Sequence, residues 1–253
     1  MIRGLYIAGT GMLTQRNKMD VITNNLTNAD TIGFREESML SRTFEDMLLD
    51  RQNDPAVLRQ DRQVGPLSTG THIDEINISF GQGAPEETGL TTDMAIVGDG
   101  FFVVNTPAGD RYTRAGNFTL DAGGVLRDPM GNPVQGQNGN ITLTSDHFVV
   151  TPRGVIYDEV TGNEVATLRV VEFTNEDNLR EQAGNMFYVY EDAGMRDAEN
   201  STVMQGYIES SNVNIANQMV NMIIASRAYE TSQTVAGMID QTLDAAVNDI
   251  ARF

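Results

Sequence analysis

The chain contains no cysteine and no tryptophan, only two histidines, and a single lysine among its 17 basic residues. Without cysteine there is no disulfide framework, no thiolate zinc site and no cysteine nucleophile. Imidazole chemistry would rest on His72 and His147, and Schiff-base or P-loop chemistry on Lys18 alone. Positive charge is also scarce: 17 Lys and Arg stand against 35 Asp and Glu, a net charge of −18 over 253 residues. That deficit argues against a partner that is nucleic acid or an anionic membrane surface, because both are held by clustered cations. Long apolar runs are missing too, and nothing approaches the roughly 20 residues that span a bilayer, so no membrane insertion is expected. The opening stretch from Met1 to Leu13 is interrupted by Gly and Thr, and Arg16 and Lys18 follow it without an A-x-A-like site. It reads as mature sequence rather than a cleaved signal peptide, so any export would need another signal.

What remains is ordinary folded-protein composition, 40% hydrophobic and 21% charged. Its distribution is uneven. Residues 1–50 carry 5 basic and 7 acidic side chains and residues 201–253 carry 2 and 5, so the net charges are −2 and −3, with −13 left for the middle. Eighteen of the 24 glycines lie in the middle as well. The ends and the centre are different kinds of structure.

In the N-terminal segment Leu5, Ala8, Met12, Gln15, Met19, Ile22 and Leu26 recur at alternating spacings of three and four, a heptad seam on one long helix. The C-terminal segment repeats the pattern through Ile215, Met219, Met222, Ser226, Tyr229, Ser232, Ala236, Ile239, Leu243, Ala246, Ile250 and Phe253, with one phase slip near the middle. Asn212 or Asn214 is placed to cap its start. A narrow seam is made to meet another helix, whether in the same molecule or in a neighbour, and the pattern leaves both open.

Between the helices the signals are strands and turns. Met94-Ala-Ile-Val97 and Phe101-Phe-Val-Val104 flank Gly98-Asp-Gly100 and read as a tight hairpin. Further strands are expected within residues 111–120, 141–143, 147–151, 154–157, 165–173 and 186–190, with turns at Asp121–Gly124 and Asn138–Gly139. Phe44–Leu49 shows a short helical pattern before a polar stretch, and Asp192–Gln205 reads as a polar connector. The expected fold class is α+β: long N- and C-terminal helices forming a coiled-coil-like pair, and a central, mainly antiparallel all-β domain. The expected divisions are 1–43 (helix and Asn-rich turn), 44–74 (connector), 75–200 (β domain) and 201–253 (C-terminal helical region).

Chemistry finds little purchase. Asp93, Asp99, Asp121 and Asp128 could supply a glycosidase-like carboxylate pair, but Asp beside Gly is the signature of a turn. Gly98-Asp-Gly100 lacks the last glycine of a dinucleotide fingerprint and precedes a strand. Neither histidine has metal-ligand spacing. No catalytic, cofactor-binding or metal-binding residue is assigned, and no enzyme activity is expected. The distinctive stretch is Asn24-Asn25-Leu26-Thr-Asn28-Ala-Asp-Thr31-Ile-Gly33-Phe34-Arg35, where amphipathic periodicity ends. There Asn side chains can bond backbone groups left open at a helix end, Gly33 can adopt a positive φ, and Phe34 can anchor the redirected chain.

This stretch closely resembles the N-terminal signature of the bacterial flagellar rod and hook proteins. The resemblance returns at Asp93-Met-Ala-Ile-Val-Gly-Asp-Gly-Phe-Phe-Val-Val104, at Tyr112-Thr-Arg-Ala-Gly-Asn-Phe118, at Gly131-Asn-Pro-Val134, at Gln205-Gly-Tyr-Ile-Glu-Ser-Ser-Asn-Val213 and at Arg227-Ala-Tyr-Glu230. Ser226 and Ser232 stand where the family often has Gln and Asn, and residues 44–75 and 135–200 match least. The length is similar to that of proximal and distal rod proteins rather than hook proteins. The resemblance implies an axial subunit of the flagellar basal body, exported without a cleaved signal peptide, whose terminal helices assemble into a hollow rod that transmits torque and encloses the export channel. Implied partners are copies of itself, other rod and hook axial proteins, and the flagellar export apparatus. The implied assembly residues are Leu5, Met12, Met19, Ile22, Asn24, Asn25, Leu26, Asn28, Thr31, Gly33 and Phe34 at one end, and Asn212, Val213, Met219, Met222, Ile223, Arg227, Tyr229, Ile239, Leu243 and Ile250 at the other. Ile96, Gly98, Gly100, Phe101, Phe102, Gly116 and Phe118 form the expected β-domain core motif. The alternatives are a secreted or surface β-domain binding protein whose helices pair within one molecule, and a carboxylate-dependent hydrolase.

Overall fold

The computed structural model describes residues 2–44, 47–50, 63–182, 184–198 and 200–250. The chain divides into two compact units, one of Met1–Leu26, Glu37–Asn77 and Ile215–Phe253, the other of Thr27–Glu36 and Ile78–Asn214.

In the first unit α1 (Ile2–Thr27) and α2 (Ile215–Ile250) pack against each other. A Cβ added to Gly4 would lie 3.0 Å from Ile239 Cδ1, and one added to Gly11 would lie 3.6 Å from Ser232 Oγ. Seven residues forward along α1 therefore correspond to seven residues back along α2, and the pair is antiparallel. On α2 the covered positions include Gln218, Met222, Ala225, Tyr229, Ser232, Ala236, Ile239, Leu243 and Ala246, which alternate four and three without a break, with Ser226 and Ala228 half-buried beside them. Along this line the expected phase slip is absent, because Gln218 and Ala225 are buried where Met219, which is exposed, and Ser226, which is half-buried, are expected. Gly4 and Gly11 on α1 lie against the Ile239 and Ser232 side chains, whereas Leu5 and Met219 are left exposed. Ile22 is buried, and Met12, Met19 and Leu26 are half-buried. The Ile250 side chain and Phe253 lie outside the described residues.

The same unit carries two-stranded antiparallel segments. Glu37–Thr43 pairs with Thr71–Ile78, and Met47–Asp50 with Gln63–Leu67. Met47–Leu49 is thus extended rather than helical, as the three-residue apolar run pairs with Gly65, Pro66 and Leu67 instead of nucleating a helical turn. Glu45, Asp46 and the polar residues 51–62 lie outside the described residues. Thr14 Oγ1 lies 3.1 Å from Thr71 Oγ1, and the Phe44 ring stacks on His72 at 5.0 Å.

The second unit is built on a six-stranded antiparallel sheet in the order Leu179–Gln182, Met186–Val189, Gly109–Thr113, Phe101–Thr106, Val170–Phe173, Met195–Asp197. Successive side chains of a strand point to opposite faces. Phe101 and Val103 enter one apolar cluster with Val171, Phe173, Leu179 and Phe187, while Phe102 and Val104 enter another with Met94, Ile96, Phe118, Leu126 and Ile156. A continuous Phe-Phe-Val-Val run is what a strand covered on both faces requires.

The hairpin expected around Gly98-Asp-Gly100 is not formed. Met94–Val97 pairs with Thr202–Gln205, and Phe101–Thr106 pairs with Gly109–Thr113 and Val170–Phe173. The glycine turn instead carries the chain from one sheet to the next. The true hairpin follows, closing at Thr106↔Gly109. Asp192–Gln205 is no simple connector either, since Met195–Asp197 and Thr202–Gln205 both join sheets. The backbone ladder, blind to side-chain polarity, recruits them.

Gly116 marks the tightest approach in this unit, because a Cβ there would lie 1.6 Å from the Met94 carbonyl oxygen. Gly116→Ala must displace backbone, and is expected to lower unfolding stability by about 3 kcal/mol or more, read from the urea midpoint at unchanged slope.

Candidate assembly site

The signature after α1 is built by close packing. Gly33 has φ +69°, and an added Cβ would lie 2.5 Å from the Ala115 nitrogen. Only glycine fits both the conformation and the gap. Gly33 N donates to Glu209 O at 2.8 Å, and the next two side chains, Phe34 and Arg35, are each 1% exposed.

Arg35 ends in a buried ion cluster. Its Nη2 lies 2.7 Å from Glu209 Oε1 as a close charge pair rather than an aligned hydrogen bond, and its Nη1 donates to Gly81 O at 2.7 Å. Glu209 Oε1 also accepts from Gly83 N at 2.8 Å, and Glu209 Oε2 lies 3.4 Å from Arg114 Nη1. The Arg114 guanidinium stands over the Phe101 ring at 5.0 Å. Burial pulls Arg114 below the usual guanidinium range, opposed first by Glu209. Two buried cations facing one buried anion leave an excess positive charge, and Asp99 and Glu176 supply further negative charge toward Arg114. Burial, then Asp99, pushes the Glu176 carboxyl upward, while Arg114 and Arg35 act in the opposite sense.

Asn212 is a second fixed point. Its Oδ1 accepts from Glu36 N at 2.7 Å, and its Nδ2 donates to Ser79 O at 2.8 Å and Gly81 O at 2.9 Å, while Ser79 N donates to Glu36 O at 2.8 Å. Its side chain is therefore committed to the β unit rather than to capping α2, whose first residue Ile215 follows Asn214. Asn25 acts similarly within the helical unit, clasping Glu37 by donating to its carbonyl at 2.7 Å and accepting from its N–H at 2.9 Å. Asn24 reaches the Glu37 carboxylate, and Thr31 bonds Asn28. Asn28, Thr31 and Ile32 line a groove of about 510 Å³ with Met130, Asn185 and Met186, and Asn185 Nδ2 donates to Ile32 O at 3.1 Å.

Three of the four candidate carboxylates are engaged by nearby groups, and Asp99 faces Arg114 and Glu176. Asp121 accepts from the N–H groups of Gly123 and Val125 and pairs with Arg127, Asp128 binds Asn132, and Asp93 accepts from Thr88. His147 is exposed, and no metal-holding cluster occurs among the described residues. Arg35, Arg114 and Glu209 belong to three separate sequence motifs, and no local pattern marks them as partners; only the fold shows that the three motifs share one ion cluster.

The helical unit presents the complementary feature, an outward apolar surface. Tyr6, Ile7 and Leu13 on α1 and Val220, Ile223, Ile224 and Met238 on α2 are all exposed. Of the expected assembly residues, Leu5, Met219, Ile223 and Arg227 point outward, whereas Met222, Tyr229, Ile239 and Leu243 lie along the internal seam.

Three family models match the chain in order: "Flagella basal body rod protein" over residues 5–35, "Flagellar hook protein FlgE/F/G D1 domain" over 95–158, and "Flagellar basal body rod FlgEFG protein C-terminal" over 204–249. The flagellar basal-body rod protein FlgG of Bacillus subtilis is 30% identical, with 98% of this chain and 99% of that protein aligned. The FlgG of Buchnera aphidicola subsp. Baizongia pistaciae is 33% identical over 96% of this chain and 98% of its own. The FlgF of Caulobacter vibrioides is 28% identical over 100% and 98%. The matched segments contain the ion cluster's Arg35, Arg114 and Glu209.

Removing one partner of a buried cluster strands the others. Glu209→Ala is expected to cost about 3 to 5 kcal/mol, and Glu209→Gln less, because the amide oxygen still accepts from Gly83 N. Chemical denaturation followed by circular dichroism measures both; equal stability of Glu209→Ala and wild type would remove the cluster's structural role.

Proposed function

We propose, from the premise that this chain belongs to the flagellar basal-body rod protein family, that it builds the rod wall by packing its terminal helices with those of neighbouring subunits. The observation that carries this reading is the apolar surface that the helical pair leaves outside, although Ile22, Met222, Ile239 and Leu243 already fill its seam. The small residues Gly4, Ala8, Gly11 and Ala225 face inward, while Ile223 (61% exposed), Ile224 and Met238 face outward. Large exposed apolar faces of this kind are characteristic of interaction surfaces. A structural, non-enzymatic rod subunit needs this and no reaction centre.

The assembled product is a hollow helical tube that transmits torque and encloses the export channel. Contacts between unlike faces that do not close a ring propagate without limit, which is how one chain makes a tube. Other rod and hook axial proteins are the neighbours at the ends of its segment. The export apparatus is the partner that delivers it, and an unfolded chain without cysteines passes a narrow channel with no disulfide to form or break. The acidic middle of the chain repels nonspecific contact. A binding protein with helices closed on each other has no use for the outward apolar faces.

Replacement of the chromosomal gene with outward variants tests the role. Ile223→Asp with Ile224→Asp is expected to abolish swimming and rod completion in electron micrographs of basal bodies, with helicity of the purified chain unchanged. Met222→Asp and Leu243→Asp, which place a charge in the seam, are expected to block assembly and also reduce helicity, while the β unit still unfolds cooperatively. Normal motility of all these variants would defeat the reading.

A further inference from the structure

The two terminal helices carry opposite charge. α1 holds Arg3, Arg16 and Lys18 against Asp20, a net of +2, and α2 holds Arg227 against Glu230, Asp240, Asp244 and Asp249, a net of −3. The arrangement is more specific than the totals. On α1 the exposed charges Arg3, Arg16 and Asp20 share the outer face with Tyr6 (55% exposed) and Leu13 (51%), opposite the seam of Gly4, Ala8 and Gly11. On α2 the outer face carries the exposed charges Arg227, Glu230 and Asp244 with Met238 (59%).

The α1 order is plus, plus, minus from Arg3 to Asp20. The α2 order, followed backwards from Asp244 to Arg227, is minus, minus, plus. Each span covers 17 residues, about 26 Å at the helical rise. Laid antiparallel, Arg3 meets Asp244, Arg16 meets Glu230 and Asp20 meets Arg227, with apolar side chains between. A parallel arrangement makes only two opposite-charge contacts, Arg3 with Glu230 and Arg16 with Asp244, and leaves Asp20 and Arg227 unmatched. Glu230 is paired with Arg227 at 3.2 Å and Asp244 accepts from Asn248, each within α2 and at the surface. Such exposed local contacts are weak and readily exchanged.

We propose that the outer face of α1 in one copy docks antiparallel on the outer face of α2 in a second copy, with these three charge pairs setting register. The proposal rests on the self-assembly reading and names the surface through which it proceeds. The two faces differ, so each copy offers one to each of two neighbours and the contact propagates. Charges flanking apolar contacts act mainly on specificity and register, since like-charge juxtaposition is what an interface rejects most strongly.

Reciprocal charge reversal in the full-length chain tests this. One variant carries Arg3→Glu and Arg16→Glu, the other Glu230→Arg and Asp244→Arg, and polymer is measured by sedimentation and electron microscopy, with circular dichroism as the control for folding. Each variant alone brings like charges together at every contact. The critical concentration is expected to rise by about tenfold or more. An equimolar mixture restores an opposite-charge match at every alternating contact and is expected to polymerise nearly as wild type does. Wild-type polymerisation with either variant equally competent alone, or with a mixture no better than its components, overturns the face assignment while leaving self-assembly intact. A wild-type chain that never polymerises removes the self-assembly reading and this proposal with it.

Discussion

The fold depends on how Glu209 is shared. Its carboxylate faces Arg35 and Arg114 and accepts from Gly83 N, so one buried anion joins four separated stretches of chain. Ions this deeply buried are tolerated only when they are paired and hydrogen-bonded, and a half-complete cluster is worse than none. The arrangement therefore exists as a whole or not at all. It also explains why residues 27–36, an irregular segment with little regular hydrogen bonding of its own, hold one conformation. Gly33 N donates to Glu209 O, Phe34 is buried beside it, and Arg35 reaches the carboxylate.

Asn212 extends the same logic to the points where the chain passes from one unit to the other. Glu36, Ser79 and Asn212 each lie within a few residues of such a crossing. One amide side chain binds the backbone at Glu36, Ser79 and Gly81. An Asn, with a donor and an acceptor on one short planar group, can join such strands; an Asp or a Leu of similar size cannot. The crossings are thereby held together inside the β unit, whatever the helices beyond them contact.

The helical unit solves a different problem. Its seam takes in Ile22, Met222, Tyr229, Ile239 and Leu243, with Gly4 against Ile239 and Gly11 against Ser232, yet Ile223, Ile224 and Met238 remain outside. One apolar stripe meets the partner helix and a second is left for a further contact. The seam positions Tyr229, Ile239 and Leu243 were legible because a heptad repeat is a local pattern. Met219 and the apparent phase slip misled because periodicity marks every apolar stripe alike, whichever partner it meets. Gly98-Asp-Gly100 misled for a related reason: a glycine turn between two apolar runs specifies that the chain turns, not which strand each run will pair with.

What the sequence determined by itself is local or compositional. The helices follow from heptad spacing, the turn at Gly33 from the need for a positive φ, the doubly covered strand from Phe101-Phe-Val-Val104, and the unsuitability for nucleic acid from a net charge of −18. Family membership was legible as well, because its motifs are short and contiguous. Tertiary structure alone decided which motifs meet. Arg35, Arg114 and Glu209 are separated by 79 and 95 residues along the chain, and ion pairing across such distances leaves no periodic trace. It alone decided which helical faces are turned inward, because that choice depends on which stripe of each helix meets the other, a property of the pair and not of either helix.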